Sequence, residues 1–87
     1  MMTHDYVSRL IGALRAELDI AHIPSECSWD STILDHGVTV ERRHTYPHWR
    51  CRLSHGTATY HGTGETRMEA LDALEQTLRA LVDESAA

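Results

Sequence analysis

His44, His48, Cys51 and His55 follow one another at intervals of four, three and four residues, and all four types can hold a soft or borderline metal ion. Arg42 and Arg43 immediately precede this stretch, and Arg50 and Arg52 are threaded through it. Two chemistries therefore compete for it: zinc-type ligation, and recognition of phosphate or carboxylate by the planar guanidinium fork. The pattern of the flanking residues decides between them. From 48 to 54 apolar and polar residues alternate, which is the period of a strand half buried in a sheet. Trp49, Cys51 and Leu53 share one face; His48, Arg50 and Arg52 share the other. His48 and Cys51 point to opposite sides, so the four ligands do not converge and no metal site is assigned.

Nucleophilic catalysis finds no support either. Cys51 reads as a core thiol, since free cysteine is among the most buried residue types. Cys27 lies beside Glu26 and Asp30, whose charges oppose formation of a thiolate. No catalytic motif and no cofactor-binding motif occurs, and the chain is read as non-enzymatic, with no catalytic residue.

The elements that position the arginines follow from periodicity. The chain has 87 residues with 41% apolar and no Phe, so Leu, Ile and Val must supply one modest core. Val7, Leu10, Ile11, Leu14 and Leu18 recur at three and four residues and predict a helix over 5–21, with Thr3 or Asp5 as its cap. Residues 24–36 read as a loop, with a hairpin turning at Asp35-His36-Gly37 as the alternative. Strands are expected over 38–44, 48–54 and 57–62. A turn at His55-Gly56 would pair Ser54 with Thr57, Leu53 with Ala58, Arg52 with Thr59, Cys51 with Tyr60 and Arg50 with His61. A second helix is expected over 66–83, opened by the capping box Thr66-Arg67-Met68-Glu69 and followed by a fraying Glu-Ser-Ala-Ala. Its apolar stripe is Met68, Leu71, Leu74, Leu78, Leu81 and Val82. The fold class is α+β, in the order α-β-β-β-α, with two helices packed on one face of a three-stranded antiparallel sheet.

That order resembles the double-stranded RNA-binding domain. Gly62, Gly64, Thr66, Arg67 and Ala70 match the Gly-x-Gly run and helix start of that family, and Pro47-His48-Trp49 echoes the loop between its first two strands. The resemblance covers roughly residues 37–82 and implies the same layered fold. It also implies duplex RNA binding, but of that family's basic cluster at the second helix only Arg67 remains, between Glu65 and Glu69.

Charge divides unevenly. Net charge is −5, and every cationic side chain other than histidine is arginine. Residues 1–23 carry −1, 24–36 carry −3, 37–64 carry +3, and 65–87 carry −4. Two surfaces are thus candidates for binding. One is the open sheet face with Arg43, His48, Arg50, Arg52 and His61. The other is an acidic side of the second helix with Glu69, Asp72 and Glu75. In size, acidity and lack of catalytic residues the chain is similar to small phage-encoded inhibitors such as anti-CRISPR proteins. A protein partner is expected; net charge disfavours nucleic acid without excluding it. A homodimer through an exposed sheet edge stays open. No secretory leader and no run of about 18 apolar residues is seen. A cytoplasmic location is the expectation, and no metal or other cofactor is.

Overall fold

The structure, a computed structural model, describes residues 2–20, 29–42 and 49–86. Its elements are α1 (His4–Ile20), β1 (Trp29–Ile33), β2 (His36–Arg42), β3 (Trp49–His55), β4 (Ala58–Gly64) and α2 (Arg67–Ala86). The strands form one antiparallel sheet in the order β1-β2-β3-β4. Each strand pairs with the one that follows it.

The α+β class holds, but the sheet has four strands rather than three. The extra strand is β1, in the segment read as a loop with a hairpin as the alternative; the hairpin forms, with its turn placed differently. Strand β1 pairs with β2 through a two-residue turn, Leu34-Asp35, with Ile33 opposite His36. Both turn residues have positive φ, 48° and 68°, the signature of a type I′ turn. His36 and Gly37 belong to β2 and not to a turn.

The second hairpin also turns one residue later than expected. Gly56 has φ 62° and is followed by Thr57, so the two central residues are Gly56-Thr57 and His55 faces Ala58. A positive φ at the first central position alone fits a type II′ turn. The register becomes Leu53 with Tyr60, Arg52 with His61, Cys51 with Gly62 and Arg50 with Thr63. Relative to expectation β4 slides by two residues. Side chains alternate with period two, so every residue keeps its face while changing its neighbour.

Both helices cover one face of the sheet. α1 begins at an N-cap, Thr3, whose hydroxyl accepts the Tyr6 amide at 3.1 Å. Val7, Leu10, Ile11, Leu14 and Leu18 are buried as the stripe requires. From the sheet come Ile33, Val38, Val40, Trp49, Cys51 and Leu53, and from α2 come Ala70, Leu71, Leu74, Leu78 and Val82. Met68, placed in the α2 stripe by periodicity, is exposed, and Ala70 takes the buried place at the start of the helix. α2 runs to Ala86, three residues past its expected end.

The capping box forms as read. The Glu69 amide donates to the Thr66 hydroxyl at 3.1 Å, and the Glu69 carboxylate accepts the Glu65 and Thr66 amides at 2.9 and 3.1 Å. Thr66→Ala should therefore cost about 1 kcal/mol, read as a lower urea midpoint at unchanged slope.

Cys51 is fully buried, and burial pushes its thiol up to about 12. A buried thiolate lacks the solvent that would stabilise its charge. The folded state therefore holds a proton that the unfolded chain releases near pH 9. Stability from this group is intact below about pH 9 and falls as pH rises from there toward 12. Two measurements check this. Iodoacetamide should label Cys51 only at the rate of unfolding, and Cys51→Ala should flatten the alkaline fall in urea midpoint.

Candidate functional site: the open face of the sheet

The face turned away from the helices is built by alternate residues. Register places Asp30, Thr39, Arg52 and His61 in one row across the four strands. A second row holds Thr32, Gly37, Ser54 and Thr59, and a third holds Glu41, Arg50 and Thr63. The same alternation sends Val38, Val40, Cys51 and Leu53 to the core, so apolar strand residues and charged face are two consequences of one pattern.

Arg50 is not available as a free cation. Its Nε donates to Glu41 Oε1 at 2.9 Å, and its Nη2 is engaged by the same oxygen. Register makes this pair, since Glu41 and Arg50 lie directly opposite. Arg52 and Asp30 are both exposed, and neither makes an ion pair with a described residue. Between them lies a shallow depression of about 290 Å³ lined by Asp30, Gly37, Val38, Thr39, Arg52, Ser54 and Thr59. Gly37 opens it: a methyl group there would only come within 3.8 Å of the Ser54 hydroxyl. Arg43 and His48 lie outside the described residues.

The expected acidic surface is organised differently. Glu69 is occupied by the cap of α2. Asp72 and Glu75 take the Arg15 guanidinium from α1, with Arg15 Nη2 at 3.2 Å from Glu75. The hydrogen bond to Asp72 is the main reason that the Arg15 pKa is raised. Arg79 donates to Glu75 at 3.0 Å and to the Ser8 hydroxyl at 2.9 Å, and His4 Nε2 lies 2.8 Å from Asp83. These carboxylates form a polar seam between two helices rather than a lone acidic stripe. Periodicity along α2 shows which residues leave the core; it carries no information about the arginines of α1 that meet them.

A second polar group lies on the helix side at the end of the sheet, and no spacing in the sequence marks it. The Tyr6 hydroxyl sits 2.6 Å from His36 Nε2 and 3.3 Å from the Leu34 carbonyl. His36 Nδ1 lies 3.0 Å from the Ser54 carbonyl, which only a protonated nitrogen satisfies. The His36 and His55 ring centroids lie 4.8 Å apart with the rings tilted by 38°, and His55 Nδ1 is buried with no hydrogen-bond partner among the described residues. At the opposite end, the Arg67 guanidinium covers the Trp49 ring at 5.6 Å, and its Nη1 is buried with no hydrogen-bond partner among the described residues.

No family model, curated protein or solved structure matches the chain. What the molecule does must be argued from its own chemistry.

Among the described residues no three His, Cys, Asp or Glu side chains converge as a metal site. Cys51 and His55, two members of the sequence cluster, both turn to the helix side: the thiol is buried in the core, and His55 joins Tyr6 and His36 at its margin. The other two, His44 and His48, lie outside the described residues. Among the described helices none is long and apolar enough to cross a membrane. Among the described residues the open face offers hydroxyls, the Arg52 guanidinium, the Asp30 carboxylate and the exposed His61 imidazole.

Proposed function

We propose that this chain is a non-enzymatic protein-interaction module that binds its partner through the open sheet face. Its narrower form is an inhibitor of a nucleic-acid-handling complex, of the small acidic kind the sequence resembles. One observation carries the choice of a protein partner. The described charges of that face balance, with Asp30 and Glu41 against Arg50 and Arg52, and Arg50 is already neutralised by Glu41. Phosphate backbones are held by an excess of cations, each of which adds salt-dependent affinity. A face of mixed charge, hydroxyls and a shallow depression suits the polar surface of a protein instead.

Direct nucleic-acid binding through the same face is the competing reading. Arg52 and His61 favour it, being exposed cross-strand neighbours on the same face. One experiment separates the two. A photocrosslinking residue at Thr59 should capture a protein partner from the native host extract, and the same residue at Gln76 on α2 should not. Arg52→Glu should abolish capture at Thr59. Duplex RNA or DNA binding at physiological salt that is lost in Arg50→Glu plus Arg52→Glu would overturn the protein-partner reading.

A further inference from the structure

The row Asp30, Thr39, Arg52 carries opposite charges on the two sides of its middle residue. Asp30 lies on β1 and Arg52 on β3, each directly beside Thr39 on β2. Both end groups are exposed and neither is paired within the described residues. The next row places a hydroxyl on each side: Thr32 and Ser54 flank Gly37. A two-fold axis parallel to β2 and above it would turn such a face onto itself. Asp30 of one copy would then stand over Arg52 of the other, twice, and Thr32 would stand over Ser54. Gly37 would face Gly37, where no side chain holds the sheets apart.

We propose that the open face is an isologous interface between two copies of this chain, closed by two symmetric Asp30–Arg52 pairs. An interface of this kind uses one patch twice, and the patch must complement itself. This one does: the charge left unpaired on β3 is the opposite of the charge left unpaired on β1. On this axis Glu41 of β2 would face Glu41 of the other copy, each carboxylate held by the Arg50 of its own chain. Hydroxyls of Thr39, Ser54 and Thr59 line the two facing depressions, and water between them can satisfy these groups. The sheets would pack with aligned strands, the geometry of a face-to-face sandwich. The inference rests on the reading of this face as an interface and adds that the free chain covers it with itself, so that a partner must compete with the dimer.

The test uses the full chain and two charge reversals. Sedimentation velocity should show wild-type protein in concentration-dependent monomer–dimer exchange. Asp30→Arg alone places Arg opposite Arg52, and Arg52→Asp alone places Asp opposite Asp30. Each should weaken self-association at least about tenfold, because like charges are then opposed at both symmetric positions. An equimolar mixture of the two variants should associate as a heterodimer with near wild-type strength, since every pair is then complementary. Arg52→Gln supplies a milder variant that leaves no reversed charge, and circular dichroism checks that each variant is folded. A monomeric wild type at the highest attainable concentration, or a mixture no tighter than either variant alone, overturns the proposal. If the wild type is monomeric while crosslinking at Thr59 still captures a partner in an Arg52-dependent way, only the dimer fails. If both signals are missing, the face is not an interface at all.

Discussion

Gly62→Ala should unfold the protein or bring it close to unfolding. A methyl group on Gly62 would sit 2.1 Å from the Leu74 nitrogen, 2.5 Å from the Ala73 carbonyl carbon and 2.6 Å from the Ala70 oxygen. All three are backbone atoms of α2. No rotamer change relieves the clash; the helix itself would have to rise off the sheet. Lifting it would open the contacts of Ala70, Leu71, Leu74 and Leu78, all fully buried. Overpacking that side chains can absorb costs about 1–3 kcal/mol, so a clash with rigid helix backbone should exceed about 3 kcal/mol. A domain of this size has only about 5 kcal/mol in hand. Gly64→Ala should behave similarly, with Glu69 Cβ at 2.5 Å and the Ala70 nitrogen at 2.7 Å. Gly12→Ala is the control. It lies on α1 with nothing within 4 Å of the added methyl, and helix propensity alone should stabilise it by up to about 1 kcal/mol. Urea denaturation of the three variants checks the set. A Gly62→Ala protein with a wild-type midpoint would show that α2 does not sit this close to β4.

The same glycines have a physical role that stands apart from any family resemblance. Gly62-x-Gly64 before an Ala-rich helix was the most family-like feature of the sequence. Its physical meaning here is close approach: two residues without Cβ let α2 lie against β4. That requirement is one of backbone geometry, and it does not carry RNA binding with it.

Elsewhere, what was legible depended on whether the deciding contact was local. Alternation at 38–40 and 49–53 assigned Val38, Val40, Trp49, Cys51 and Leu53 to the core correctly, and the stripe of α1 did the same. The partners across the sheet were less secure. A turn set one residue late slid β4 by two, and His61 came to stand beside Arg52 instead of Arg50. Face survives such an error and pairing does not. Asp30, now on the open face, was hidden for a different reason. It belongs to the strand whose turn carries Leu-Asp, a pair without the Asn-Gly or Asp-Gly signal that marks a type I′ hairpin. The seam of Arg15 with Asp72 and Glu75 joins residues almost sixty apart, and no spacing rule within one helix reaches that far.

That missed turn gives the second large effect, and it is a gain. Replacing Leu34-Asp35 with Asn-Gly should stabilise the protein by about 1–2 kcal/mol. Leu34 adopts φ 48°, a left-handed conformation that costs an ordinary L-residue about 1–2 kcal/mol because Cβ crowds the following carbonyl. Asn tolerates that region, and Gly suits the φ of 68° at position 35. Little is lost in exchange. Leu34 is 38% exposed and is not part of the buried core, and its interaction with Tyr6 uses the backbone carbonyl, which every residue has. Glycine adds some entropy to the unfolded chain, which trims the gain by a few tenths of a kcal/mol and does not reverse it. At this chain length the net gain should raise the melting temperature by about 4–8 °C per kcal/mol. Thermal melts of Leu34→Asn, Asp35→Gly and the double variant divide the effect, with most of it expected from Leu34→Asn. A loss of stability in Leu34→Asn would mean that the Leu34 side chain makes contacts worth more than its strain. An unchanged melting temperature would mean that β1 and β2 are not joined by this turn, and the row that sets Asp30 opposite Thr39 would go with it.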